Sequence, residues 1–290
     1  MTAKVRSDLI SEIADSYSEY LKLTATAGSA TTATASADLL EPDSYWIGHM
    51  LYVVTDAGGA HAAPEGQERP VTAYDQASAT LTVSPAFSAA IGAGDICELL
   101  PLRRATIVKA INAAIQSSGM AWLAAIADEA SIALVEGTYE YALPDDLERL
   151  ARVLVRENTD EPWVDVPANN WRVAELPGAQ VLIFNSWDNL SDAYTCRLEY
   201  YARPSEMATD AATLGLGEPA EREMVRFVVS FALYWLHDRA SNISKGDSEF
   251  QQHYTKGDLF FKIAQAIKRE ALSGGVAKRV KTAKPWRGKG

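Results

Sequence analysis

Two cysteines and four histidines in 290 residues leave little material for metal binding or nucleophilic chemistry. A structural zinc site wants four Cys or His ligands, usually in close pairs, and no His pair at i, i+4 occurs. Cys97 and Cys196 stand far apart in apolar, strand-like surroundings. They read as core residues rather than a disulfide, because so few cysteines point to a reducing compartment. No Gly-x-Ser-x-Gly elbow is present, and His49, His61, His237 and His253 are scattered over unrelated contexts, which speaks against a hydrolase triad. Gly58-Gly59 and Gly92-Ala93-Gly94 lack the Lys-Ser/Thr of a phosphate loop and read as hairpin turns. No loop alternates acids around a central glycine as calcium requires.

Long apolar runs are also missing. The longest, Phe227 to Leu236, is broken only by Ser230 and covers about half of a membrane span. The first ten residues carry Lys4, Arg6 and Asp8 without an apolar block, so no signal peptide is expected. A protein made in a cytosol, without a membrane partner, is the expectation.

Positive charge is scarce as well. With 27 Lys and Arg against 38 Asp and Glu, the net charge of −11 argues against nucleic acid as the main partner of the folded body. Carboxylate pairs such as Asp145-Asp146 and Asp128-Glu129 sit beside proline or on polar faces. General acid–base work needs such groups desolvated and converging, so these read as solvated surface. The exception to the acidity is the stretch 275–290, which carries Lys278, Arg279, Lys281, Lys284, Arg287 and Lys289 with no acid, and Trp286 among them. Without those six cations the rest holds 21 basic residues, a charge of −17. Two readings of this basic segment stay open on composition: a solubilising end, or an arm that orders against an acidic partner or nucleic acid.

What is present is a globular composition, 48% hydrophobic and 22% charged with seven Trp, and room for two modest domains. Residues 3–22 are predicted as an amphipathic helix, since Val5, Leu9, Ile13, Tyr17 and Tyr20 recur at spacings of three and four. From 23 to 100 the period changes to two. The Thr-Ala alternation at 31–36, the β-branched Met50–Thr55 and the alternation around Leu81 and Val83 predict an antiparallel β domain of five or six strands. A helix follows over 102–118, with Ile107, Ile111, Ala114 and Ile115 on one face and Gly119 at its end. A further helix is expected over 120–135, with Trp122, Leu123 and Ile126. Residues 138–203 predict a second β region punctuated by Pro162, Pro167 and Pro177. A helical hairpin closes the pattern: Met224–Leu236 is apolar almost all round, with Phe231 and Trp235 expected at its hub. A turn at Ser244–Asp247 leads to a second helix ending near Leu272.

Several stretches carry a resemblance. Arg69-Pro-Val-Thr-Ala-Tyr-Asp followed by Thr80–Phe87 is similar to a hairpin module of phage structural proteins. Ala110-Ile-Asn-Ala-Ala-Ile115 and Tyr139-Glu-Tyr-Ala-Leu-Pro-Asp-Asp-Leu resemble the helix and the strand-turn of phage head-to-tail adaptors. That resemblance implies a structural virion protein without catalysis, metal or cofactor, joining the portal to the tail and extending the DNA channel. Its partners would be the portal, tail or nozzle proteins, other copies in a ring (a dodecamer in that family), and DNA only as channel content. It would reside in the virion, and in the host cytoplasm during assembly. The basic segment would then be the portal-docking arm, through Lys278, Arg279, Lys281, Lys284, Trp286, Arg287 and Lys289.

The expected fold is therefore α+β. A helical body (1–22, 101–137 and the hairpin 204–274) carries an inserted antiparallel β domain (23–100), a second small β region (138–203) and a flexible basic tail (275–290). Two rivals remain. Residues 23–100 could be a carbohydrate- or receptor-binding module using Tyr45, Trp46, Tyr52 and Tyr74, or the chain could be a wall-degrading tail enzyme, for which converging His and acid motifs are scarce.

Overall fold

In a computed structural model of the chain, residues 4–55, 64–176, 179–185, 193–216, 220–243 and 247–274 are described. Helices and antiparallel sheets alternate along the chain, an α+β fold. Two compact units form. One is built from the segment up to Ser117 with Glu206–Thr213 and Val225–Arg269. The other is built from Ser118–Ser205, Leu214–Met224 and, among the described residues, 270–274.

The first unit opens with α1 (Arg6–Tyr17), which buries Leu9, Ile10, Ile13 and Ala14. The helix is shorter than its apolar spacing predicts. Leu21 and Leu23 alternate with Lys22, and this two-residue period wins: Leu21–Thr24 becomes β1 and pairs antiparallel along β7 (Ile96–Leu100).

Five further strands complete the sheet: β2 (Ala27–Gly28), β3 (Thr32–Thr34), β4 (Met50–Thr55), β5 (Glu68–Asp75) and β6 (Thr80–Val83). The spatial order is β1-β7-β4-β5-β6-β3-β2, all neighbours antiparallel. Strands β1 and β2 are separated in the chain only by Ala25 and Thr26, yet they stand at opposite ends of that order. The sheet therefore curls until both edges meet in one continuous stretch of chain, which leaves no long open edge. Gly28 makes the closure possible: a Cβ there would lie 2.5 Å from the Thr32 carbonyl oxygen and 2.9 Å from that of Ile91.

The Thr-Ala alternation is resolved as the pleat predicts. Ala33 and Ala35 are buried with Leu51, Val53, Leu81, Cys97 and Leu99, while Thr34 faces Thr80 across the strands, hydroxyl to hydroxyl at 3.0 Å. Seven strands form rather than five or six, because the stretch after α1 joins the sheet.

Helix α2 (Arg104–Ser118) follows, burying Ile107, Ala110, Ile111, Ala114 and Ile115. The helix expected over 120–135 is absent. Gly119, at φ +60°, ends α2 in a single 3-10 turn, and Ala124–Asp128 forms β8 instead. Alanine is the best helix former, but intrinsic propensity is small per residue, and full edge pairing with a long strand overrides it.

That strand belongs to the second unit, which holds β9 (Glu140–Ala142), β10 (Leu147–Arg156), β11 (Val164–Asp165), β12 (Trp171–Leu176), β13 (Ala179–Phe184) and β14 (Thr195–Ala202). They make a four-stranded sheet, β11-β10-β14-β8, and a three-stranded sheet, β12-β13-β9. Both contribute to one core that includes Tyr141, Leu182 and Phe184 from the smaller sheet and Val153, Leu198 and Tyr200 from the larger.

Helices α3 (Ala220–Ile243) and α4 (Asp247–Gly274) form the expected pair. Phe227, Val228, Ala232, Leu233 and Leu236 are buried, whereas Phe231 and Trp235 are only half-buried, so the hub of α3 is Phe227 rather than either of them. Gly257 of α4 faces α3, where a Cβ would be in van der Waals contact with His237 at 3.4 Å. Lys268 donates to the Ser117 carbonyl at 2.6 Å, placing a cation at the last turn of α2. No helix among the described residues is long and apolar enough to cross a membrane.

Candidate functional site

The polar keystone of the first unit is Arg104, at the start of α2. Its side chain is 8% exposed and donates to Glu98 of β7 at 2.5 Å and to Asp210 at 2.9 Å. The guanidinium lies over the Tyr52 ring, 4.3 Å from its centre. The Arg104 backbone N–H donates to Glu68 at 2.9 Å, so a carboxylate from β5 caps the positive end of α2. Arg6, at the start of α1, donates to the same Asp210 at 2.7 Å and to the Met207 and Ala208 carbonyls. Partial burial pushes the Asp210 carboxyl up, but the hydrogen bonds and charges of Arg6 and Arg104 outweigh it and hold it below the usual range. Two helix starts, the β sheet and the 206–213 segment are thereby fixed to one another.

Histidines read as scattered are in part brought together. Nδ1 of His237 on α3 lies 3.0 Å from Nδ1 of His253 on α4, and Tyr17 stacks on His237 with ring centres 4.7 Å apart. One ring must donate and the other accept, which both can do when neutral. Burial, then the neighbouring His253 and Lys256, lowers the His237 pKa to about 4. The sign follows: between about 4 and 6.5 the unfolded chain binds a proton that the folded chain does not, so stability falls on acidification through that window. Denaturant unfolding at pH 7 and pH 5 should show a loss on the order of 1 kcal/mol, and His237→Gln should flatten the difference. An equal loss in His237→Gln would assign the acid sensitivity to other groups.

The other candidate groups are occupied structurally. Cys97 and Cys196 are free and buried, and burial pushes both thiols up to about 12, far from a nucleophile's range. Asp128 accepts from the backbone N–H groups of Ala130 and Ser131 in a turn, and Asp146 accepts from the Tyr200 hydroxyl. Among the described residues no group of three or more His, Cys, Asp and Glu is placed to hold a metal ion. The aromatic platform considered for sugar binding is not assembled. Trp46 and Tyr74 are buried in the sheet's core and Tyr52 lies under Arg104, which leaves Tyr45 exposed.

What the first unit does present to solvent is the outer surface of the α3–α4 pair. Phe250, Tyr254, Leu259, Phe261 and Ile263 are 37–58% exposed. Rings of Phe250 and Tyr254 stack at 5.8 Å, and Phe261 meets Tyr234 of α3 at 4.8 Å, which in turn meets Phe231 at 5.4 Å. A second feature is an open apolar cleft of about 540 Å³ between α1, the start of α2 and the α3–α4 pair, lined by Tyr17, Leu102, Leu236 and Ile243 with Arg103 and Arg239 on its walls. An exposed aromatic surface like that of α3–α4 suits a protein partner. The residues singled out for partner binding, Lys278, Arg279, Lys281, Lys284, Trp286, Arg287 and Lys289, lie outside the described residues.

None of the curated proteins matches the sequence. The family model of the SU10 adaptor protein matches residues 89–279, well over half of the 290-residue chain. The matched stretch takes in β7, α2, every strand of the second unit and the α3–α4 pair, while β1 to β6 precede it. A protein surface of exposed aromatics and buried structural ionisable groups is in keeping with that match, and the chain belongs to the SU10 adaptor family, a family of structural phage adaptor proteins.

Proposed function

We propose that this chain forms a head-to-tail adaptor ring, joining the portal to the tail and extending the DNA channel. The observation that carries the reading is the family match across α2, the second β unit and the α3–α4 pair. In this reading the helices form the body that packs between copies, and the closed β sheet, six of whose seven strands precede the matched stretch, is an insertion carried on it. Geometry and interface area would replace catalysis. The partners are the portal on one side, tail or nozzle proteins on the other, and copies of the chain within the ring, a dodecamer by family resemblance. DNA passes as channel content. An acidic body, −17 outside the basic segment, suits a channel wall that does not hold DNA.

Residues 275–290 are the proposed docking arm. Six cations without an acid, with one Trp, cannot bury enough apolar surface to fold alone and would take their structure from the portal. The partner groove should be acidic or rich in carbonyls, with a pocket for the Trp286 indole. Deleting 275–290 should leave the circular dichroism spectrum of the body intact and abolish co-sedimentation with portal rings. Attachment would also weaken with salt, since exposed ion pairs are screened over about 8 Å at physiological ionic strength. Undiminished co-sedimentation of the truncated chain would overturn the arm.

A further inference from the structure

The angular arrangement of side chains on α4 separates four faces. At about 100° per residue, His253, Gly257, Phe260, Ala264 and Ile267 fall within one arc of about 80°, and these are the residues turned toward the rest of the unit. Opposite and to one side, Gln251, Thr255, Asp258 and Lys262 form a polar back, with Asp258 and Lys262 paired at 2.6 Å. Between these two lie the flanks. Phe250, Tyr254 and Phe261 share an arc of about 40° on one flank, and Leu259 and Ile263 share another of about 40°, roughly 180° away. All five are exposed.

A helix that packs on a single body needs one apolar stripe. Two additional stripes on opposite flanks have no use in an isolated unit and add unfavourable exposed apolar area. We infer that the two flanks of α4 are the two halves of one heterologous interface, in which the aromatic flank of each copy packs against the aliphatic flank of the next. This rests on the ring reading above only in supposing that copies of the chain meet.

Three features of α4 select a second copy as the occupant. First, the flanks are diametrically opposed, which is where a head-to-tail contact must place its two surfaces for a ring to continue in both directions. Second, they are complementary in shape class: flat rings on one side, branched aliphatic side chains on the other. The aromatic flank is also continued by Tyr234 and Phe231 of α3, so it spans both helices. Third, the area is of the right order. At roughly 200 Å² per ring, Phe250, Tyr254 and Phe261 expose on the order of 250 Å², the apolar centre of a patch of about 800 Å² per partner. Gln251, Asp258 and Gln265, the next positions around the helix, would supply its polar rim.

The test uses the full-length chain and mass photometry with sedimentation velocity. Wild type should assemble beyond the monomer. Tyr254→Ser/Phe261→Ser, which removes the aromatic flank, and Leu259→Ser/Ile263→Ser, which removes the aliphatic one, should each be folded monomers, with self-association weakened by about 30-fold or more. Mixing the two should restore one-to-one dimers and nothing larger, because each variant retains the flank the other lacks. If either double variant loses its helical circular dichroism signal, the single changes Tyr254→Gln and Ile263→Gln replace it.

Dimers from the Leu259→Ser/Ile263→Ser chain alone would show a self-complementary aromatic contact and overturn the inference. So would assembly of both variants at wild-type strength, or a wild type that stays monomeric at its highest soluble concentration. Assembly of both variants at wild-type strength would leave the ring reading standing and remove the flank assignment alone, whereas a monomeric wild type would remove both.

Discussion

Arg104→Met should lower the unfolding free energy by roughly 3–5 kcal/mol, the cost of leaving one member of a buried ion pair without its partner. Glu98 is the reason. Its side chain is 4% exposed, and beyond Arg104 it receives a hydrogen bond from the Tyr20 hydroxyl at 3.2 Å. One neutral donor cannot compensate a buried carboxylate. Arg104→Met would also strip the cation from over Tyr52. Asp210 suffers less, since its side chain is 41% exposed and Arg6 continues to bind it. A double variant, Arg104→Met/Glu98→Gln, should recover much of the loss by removing the orphaned charge. Urea unfolding of the single and double variants measures both. A single-variant loss below about 1 kcal/mol would mean that Glu98 is hydrated and the cluster behaves as a surface pair.

A comparable loss, about 3–5 kcal/mol, is expected for Phe227→Ala. Phe227 is fully buried on α3 and its ring meets Phe231 at 5.7 Å, so truncation leaves a ring-sized void that close-packed neighbours cannot fill. Phe231→Ala and Trp235→Ala should each cost less than about 2 kcal/mol, because both side chains are half-buried and the vacated space opens to water. Thermal or chemical denaturation of the three variants ranks them. If Phe231→Ala proves as costly as Phe227→Ala, the outer surface of the α3–α4 pair is a buried core and the flank assignment on α4 loses its basis.

Much of the secondary structure was legible from period alone. The Thr-Ala alternation, the strand Met50–Thr55, the helix with Ile107 and Ile111 on one face and the apolar run of α3 each declare themselves within a dozen residues. Burial of Cys97 and Cys196 was legible in the same way, from their apolar neighbours. Phage-adaptor membership was readable from short stretches around Ala110 and Tyr139, and the family match includes both.

What local pattern could not decide was which of two competing periods prevails. Residues 18–24 satisfy helix and strand spacing equally, and the outcome depended on β7 standing free to pair with Leu21 and Leu23. The alanines of 124–128 became a strand because β14 supplies backbone partners along their whole length. Distance in sequence hid the rest. Asp210 reaches the Glu98–Arg104 pair from a loop 106 residues beyond Arg104, and nothing near either of them in the chain announces it. His237 and His253 meet because their two helices run side by side in the fold.

The sequence by itself determined the class of protein: a soluble-type composition, an α+β pattern, few groups for chemistry and a family signature. Only the tertiary structure decided which charges are buried in pairs, which aromatic residues are core, and which helix faces are left over for a neighbour. Burial is a property of what packs on the other side of a residue, and that side is contributed by chain far away.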